Sequence, residues 1–131
     1  MTTAGKVVIL SSLLMLTASA SNQEANAFLT QGRDKEKAGS YRRAADRYMD
    51  AHFMADSSTL RGNLLIAAAR ANRKAELYGE EFDCLERLIR EHLSEINFTQ
   101  IIDREYAIGD LFFAGHRDIA VGSYGCGSTA A

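Results

Sequence analysis

The chain of 131 residues contains no proline and no tryptophan, and only two cysteines. Without proline, turns must be built from glycine, asparagine and serine, which favours helices joined by short connections. Neither charge sign dominates. Fifteen lysines and arginines face seventeen aspartates and glutamates, for a formal net charge of -2, and the signs are interspersed. There is therefore no basic stripe to track a nucleic acid backbone. The three histidines, His52, His92 and His116, lack metal-ligand spacing. The longest apolar run, Val7 to Leu16, falls short of the roughly 20 residues that a membrane-spanning helix needs.

What is present begins with a distinct amino-terminal stretch. Lys6 is the sole charged side chain among residues 1–20, and the apolar run leads into Thr17-Ala18-Ser19-Ala20. A positive start, an apolar core and a small-x-small exit predict a secretory signal peptide cleaved after Ala20, with Ala25-Asn26-Ala27 as a second site. An uncleaved anchor or a buried amino-terminal helix is the alternative. No cysteine follows the run, so there is no lipidation signal.

The stretch around which the rest is organised is Gly39 to Ala51, GSYRRAADRYMDA. At 3.6 residues per turn, Tyr41, Ala44, Tyr48 and Ala51 share one helix face. The alanines let another helix lie close, and the tyrosines fill the space beside them. Gly39 marks a reversal after a preceding helix, with Ser40 as the expected N-cap. This is the second-helix pattern of a tetratricopeptide (TPR) repeat. Gly32 takes the small position where the two helices cross, and Phe28 the bulky one before it.

The remaining periodicity predicts helices over 22–38, 41–55, 59–78, 80–93 and 98–114, broken at Gly79 and at residues 94–97. Asn97 is expected to cap the last, with Gln100 returning the bond. Aligning Phe82 with Tyr41 and Leu85 with Ala44 gives a unit longer than the standard repeat of about 34 residues. Ile108-Gly109 and Phe112 read as the first helix of a third unit that lacks its second helix. The predicted organisation is a signal peptide over 1–20, an all-α TPR-like array of about five helices over 21–115, and a disordered or aberrant tail over 116–131.

The run FDCLERLIREHLSEINFTQIIDREYAIGDLFFAG resembles the BamD-type outer-membrane assembly lipoproteins and related periplasmic TPR proteins. Phe82, Leu85, Leu88, Ile89, His92 and Leu93 stand at their repeat positions, with Leu93 where the family has proline. The resemblance covers Phe28 to about Gly115 and departs from the family in lacking the lipobox cysteine and the later repeats. It implies a role in outer-membrane protein assembly or a neighbouring envelope scaffold.

No catalytic constellation emerges. Cys84 sits among core positions, far along its helix from His92, and a nucleophile needs an adjacent base. An exported chain would let Cys84 and Cys126 pair. The acidic group Glu80, Glu81 and Asp83 reads as a solvated first turn. His116-Arg117-Asp118 matches a kinase tripeptide without any of the accompanying motifs. The expected function is non-catalytic protein binding without cofactor or metal, with only indirect membrane contact. The groove residues expected by position are Asp34, Lys35, Arg70, Arg73 and Lys74, and Phe113 on the last helix is expected to support self-association. A helical enzyme using the Cys84, His92 and Asp103 region, and a truncated remnant of a longer TPR protein, are the alternatives.

Overall fold

The computed structural model describes residues 4–118, with side chains described from residue 21 onward except Glu95. Every regular element among the described residues is helical: α1 (Ala4–Lys37), α2 (Tyr41–Met54), α3 (Ser58–Lys74), α4 (Tyr78–Glu91) and α5 (Phe98–Phe113), with one 3-10 turn at Leu93–Glu95. Each helix packs on its sequence neighbour, α1 on α2, α2 on α3, α3 on α4 and α4 on α5. The result is the all-α array of helical hairpins that the TPR-like pattern predicts.

The core follows the predicted stripe. Ala44, Ala51, Leu65, Ala68 and Ala71 are fully buried, with Tyr48, Leu64 and Leu88 nearly so. Small residues on α2 and α3 bring those backbones together, and the larger side chains fill the flanks. Tyr41 departs from its expected face. It is half-buried at the edge, with Lys74 Nζ 5.2 Å above its ring.

The odd-numbered helices end in one shared device. A residue with left-handed φ follows each: Gly39 (74°), Glu76 (59°) and Gly115 (100°). The next residue's N–H then reaches back five positions: Ser40 to Lys35 O at 2.9 Å, Leu77 to Asn72 O at 2.9 Å, and His116 to Leu111 O at 3.0 Å. This is a Schellman-type closure, which satisfies carbonyls left open at a helix end. Its recurrence at positions 39, 76 and 115 fixes the repeat register.

That register corrects two expectations. Helix α3 ends at Lys74 and turns at Glu76, whereas Gly79 lies inside the first turn of α4. The left-handed cost at Glu76, of order 1–2 kcal/mol, is tolerated because burial of Leu77 holds the turn in place. Tyr78, Glu81 and Leu85 therefore occupy the places of Tyr41, Ala44 and Tyr48, instead of Phe82 and Leu85 standing for Tyr41 and Ala44.

Capping also differs in part. Asn97 Oδ1 accepts from Gln100 N–H at 3.3 Å as expected, and Ser57 Oγ accepts from Leu60 N–H at 3.3 Å. Ser40 makes no side-chain cap bond. Helix α4 is capped from afar: Asp118 Oδ1 accepts from Tyr78 N–H at 3.1 Å, and Oδ2 accepts from Gly79 N–H. A Cβ at Gly79 would sit 2.7 Å from that Oδ2, so glycine permits the approach. His116 completes the clasp, its ring 4.6 Å from that of Tyr78. Residues 116–118 of the predicted tail are thus held against α4, and the rest of that segment, including Cys126, lies outside the described residues.

Helix α1 runs unbroken across the expected cleavage point. The leader reading falls on residues whose side chains lie outside the described set. Among the described residues no helix is long and apolar enough to cross a membrane.

Candidate functional site

Stacked hairpins leave grooves between successive odd-numbered helices, because the crossing angle of each pair opens one side of the array. Two such grooves form here. The first, about 410 Å³, lies over α1, α2 and α3, with Leu60, Leu64 and Ala67 on its floor and Arg33, Glu36 and Asn63 among its polar groups. The second, about 370 Å³, lies over α3, α4 and α5, with Ala69, Leu85, Ile96 and Ile101 below and Arg73, Asn97 and Gln100 above. Ile66 and Arg70 line both, so the grooves meet along α3.

The carboxylates of this surface are already engaged. Glu36 accepts from Tyr48 Oη at 2.7 Å and from Lys74 Nζ at 2.9 Å, and Arg70 Nε stands 3.6 Å away. The Tyr48 hydroxyl and then the Lys74 ammonium hold the Glu36 carboxyl below the usual range. Burial, followed by the bond to Glu36, pushes the Tyr48 phenol up to about 12. Glu81 is buried and receives both Nε and Nη2 of Arg104, at 2.7 and 2.8 Å. This fork geometry is the strong form of a carboxylate pair, and it raises the Arg104 pKa further above its ordinary value. Glu81 is therefore a buried link between α4 and α5, not a solvated first-turn acid.

Of the residues expected at the site, the structure brings Arg70 and Arg73 into the grooves and ties Lys74 to their rim through Glu36. Asp34 and Lys35 are exposed near the end of α1 and line neither groove, and their carbonyls accept the closing bonds from Ala38 and Ser40. Phe113 stands at the end of α5, 96% exposed, outside both grooves. Sequence reasoning missed Arg33, Ile66, Asn97, Gln100 and the Glu81–Arg104 pair. The signal for Arg33 is the repeat register, since it precedes Arg70 by the same interval that separates Gly39 from Glu76.

Among the residues of the enzyme alternative, Cys84 is fully buried, beside the Asn72 amide. His92 is buried with Nδ1 3.5 Å from Ser58 Oγ, whereas Asp103 is exposed on α5. Burial lowers the His52 pKa, and its Nδ1 lies 3.2 Å from Arg61 O. No group of three or more metal-ligating side chains occurs among the described residues.

The arrangement can hold a ligand that fits between helices and meets arginines and amides over an apolar floor. No protein-family model, curated protein or solved structure matches the chain.

Proposed function

We propose that this chain is a non-catalytic interaction module that takes an extended polypeptide segment along the surface of α1, α3 and α5. The observation that carries the reading is the meeting of two grooves at Ile66 and Arg70. Two adjoining grooves with apolar floors and polar rims suit a peptide, whose side chains alternate and whose backbone needs hydrogen-bonding partners. Asn63, Asn97 and Gln100 supply such partners. The resemblance to the BamD-type assembly proteins would place the module in the periplasm, as a scaffold in or beside outer-membrane protein assembly. The leader-like residues 1–20 agree with that placement.

A photo-crosslinking residue at position 66 tests the reading, with position 86 on the exposed face of α4 as reference. An extended peptide library should be trapped at 66 and not at 86. Equal trapping at both positions would overturn it.

A second contact surface is the exposed side of α5, which no following helix covers among the described residues. Only Ile108 is fully buried on this helix, while Phe98, Tyr106, Phe112 and Phe113 are exposed. Apolar exposure of this kind along one helix suits pairing with a second copy of the chain.

A further inference from the structure

The geometry points to an acidic peptide as the occupant of the α1–α3–α5 surface, its carboxylates held by Arg33, Arg70 and Arg73 and its apolar side chains seated on the floor between them. The inference rests on the peptide-binding reading above and names the chemistry of the ligand.

Three observations carry it. First, the charge of the surface opposes that of the chain. The two grooves contain four arginines and two glutamates, within a protein of formal net charge -2. A cleft with low-dielectric walls concentrates such a field.

Second, the closest partners of those glutamates are groups other than the rim arginines. Arg104 takes Glu81 with both prongs, and Glu36 is occupied by Tyr48 and Lys74. Arg70 touches Glu36 only through Nε at 3.6 Å and is largely exposed. Arg33 and Arg73 are exposed and turned to the grooves. Guanidinium forks with this freedom match carboxylates in bidentate geometry.

Third, Arg33 and Arg70 occupy the same place in consecutive repeats, as the shared closure at Gly39 and Glu76 establishes. A ligand lying along the array meets the same cation on α1 and again on α3, with Arg73 one helical turn beyond Arg70. The floor decides between classes of anion. Leu60, Leu64, Ala67, Ile66, Ile96 and Ile101 offer nothing to a phosphate chain but accept leucine- or valine-sized side chains. An acidic peptide with interspersed apolar residues satisfies both parts.

Fluorescence anisotropy with the full chain tests this, using labelled peptides in which Glu alternates with Leu and Val, and counterparts with Gln in place of Glu. The Glu peptides should bind at least about tenfold more tightly, the scale of one or two charge-assisted hydrogen bonds, and should weaken as salt rises. The double variant Arg70→Gln/Arg73→Gln should lose that preference, while Arg90→Gln on α4 keeps it; circular dichroism confirms that both remain helical. Equal binding of Glu and Gln peptides with crosslinking at position 66 would overturn the acidic preference and leave the peptide reading intact. Absence of binding by either set would overturn both. Displacement of bound Glu peptide by polyuridylate at lower concentration than by unlabelled peptide would overturn the choice of a peptide over a nucleic acid.

Discussion

The ring of Tyr48 lies directly against the backbone of Gly32: a Cβ on Gly32 would stand 2.6 Å from Cε1 and 2.7 Å from Cδ1. The contact joins α1 to α2, and the tyrosine hydroxyl continues beyond it to Glu36 at the rim of the first groove. One side chain thus fixes the hairpin crossing and positions an element of the binding surface.

Gly32→Ala should destabilise the protein. Overpacking costs roughly 1–3 kcal/mol, offset by about 1 kcal/mol of improved helix propensity. A net loss of up to about 2 kcal/mol should appear as a lower denaturant midpoint. Gly109→Ala is the control, since nothing lies within 4 Å of a Cβ there, and it should be neutral or stabilising.

Tyr48→Phe should expose the role of Glu36 in pH dependence. The Glu36 pKa is lowered in the folded state, chiefly by the Tyr48 hydroxyl. Its stabilising contribution is present above the unfolded carboxylate pKa and is lost as pH falls through the folded value. The variant should be less stable by about 1 kcal/mol at neutral pH. The gap between the two proteins should close in acid, where Glu36 takes up its proton. Urea melts across the acid range measure this directly.

The hairpin order was legible in the sequence because alanines and tyrosines at helical spacing specify a shallow, well-filled crossing. Gly32, Ala44, Tyr48 and Ala51 carried that information locally. The register of the second unit was not legible. Glycine alone signals a left-handed turn, and Glu76 adopts one without being glycine because Leu77 is anchored in the core. Glu81 was misread for a related reason. A carboxylate in a first turn is ordinarily solvated, and only Arg104, 23 residues later, reveals why this one is buried. Of the groove, the sequence disclosed the α3 face but not its counterparts, since Arg33 and Gln100 become neighbours of that face only through stacking.

Arg104→Ala should strand Glu81. Removing one partner of a buried pair costs about 3 kcal/mol or more, and the loss should fall on the α4–α5 contact. Hydrogen exchange should show α5 amides opening first, with α1 and α2 protected. Double replacement, Glu81→Ala with Arg104→Leu, should restore much of the stability by returning an alanine to the place that Ala44 holds in the first unit.

Self-association through α5 should depend on Phe113 and on charge. Glu105 and Asp110 line the same shallow surface as Ile102 and Tyr106, so two copies would bring like charges together. Burial, and then Glu86, raises the Glu105 pKa, which eases its neutralisation as pH falls. Sedimentation should show association growing toward acid pH and with added salt, and Phe113→Ser should weaken it. Association unchanged in Phe113→Ser would place the contact elsewhere.

The most direct test of the central claim, that α1, α3 and α5 together form a binding surface for an extended peptide, is an amide chemical-shift map of the full chain titrated with the Glu-containing peptide. The account predicts shifts concentrated at Arg33, Ile66, Arg70, Arg73, Asn97 and Gln100, spanning both grooves. Shifts confined to the outer faces of α2 and α4, or to one groove alone, would contradict it.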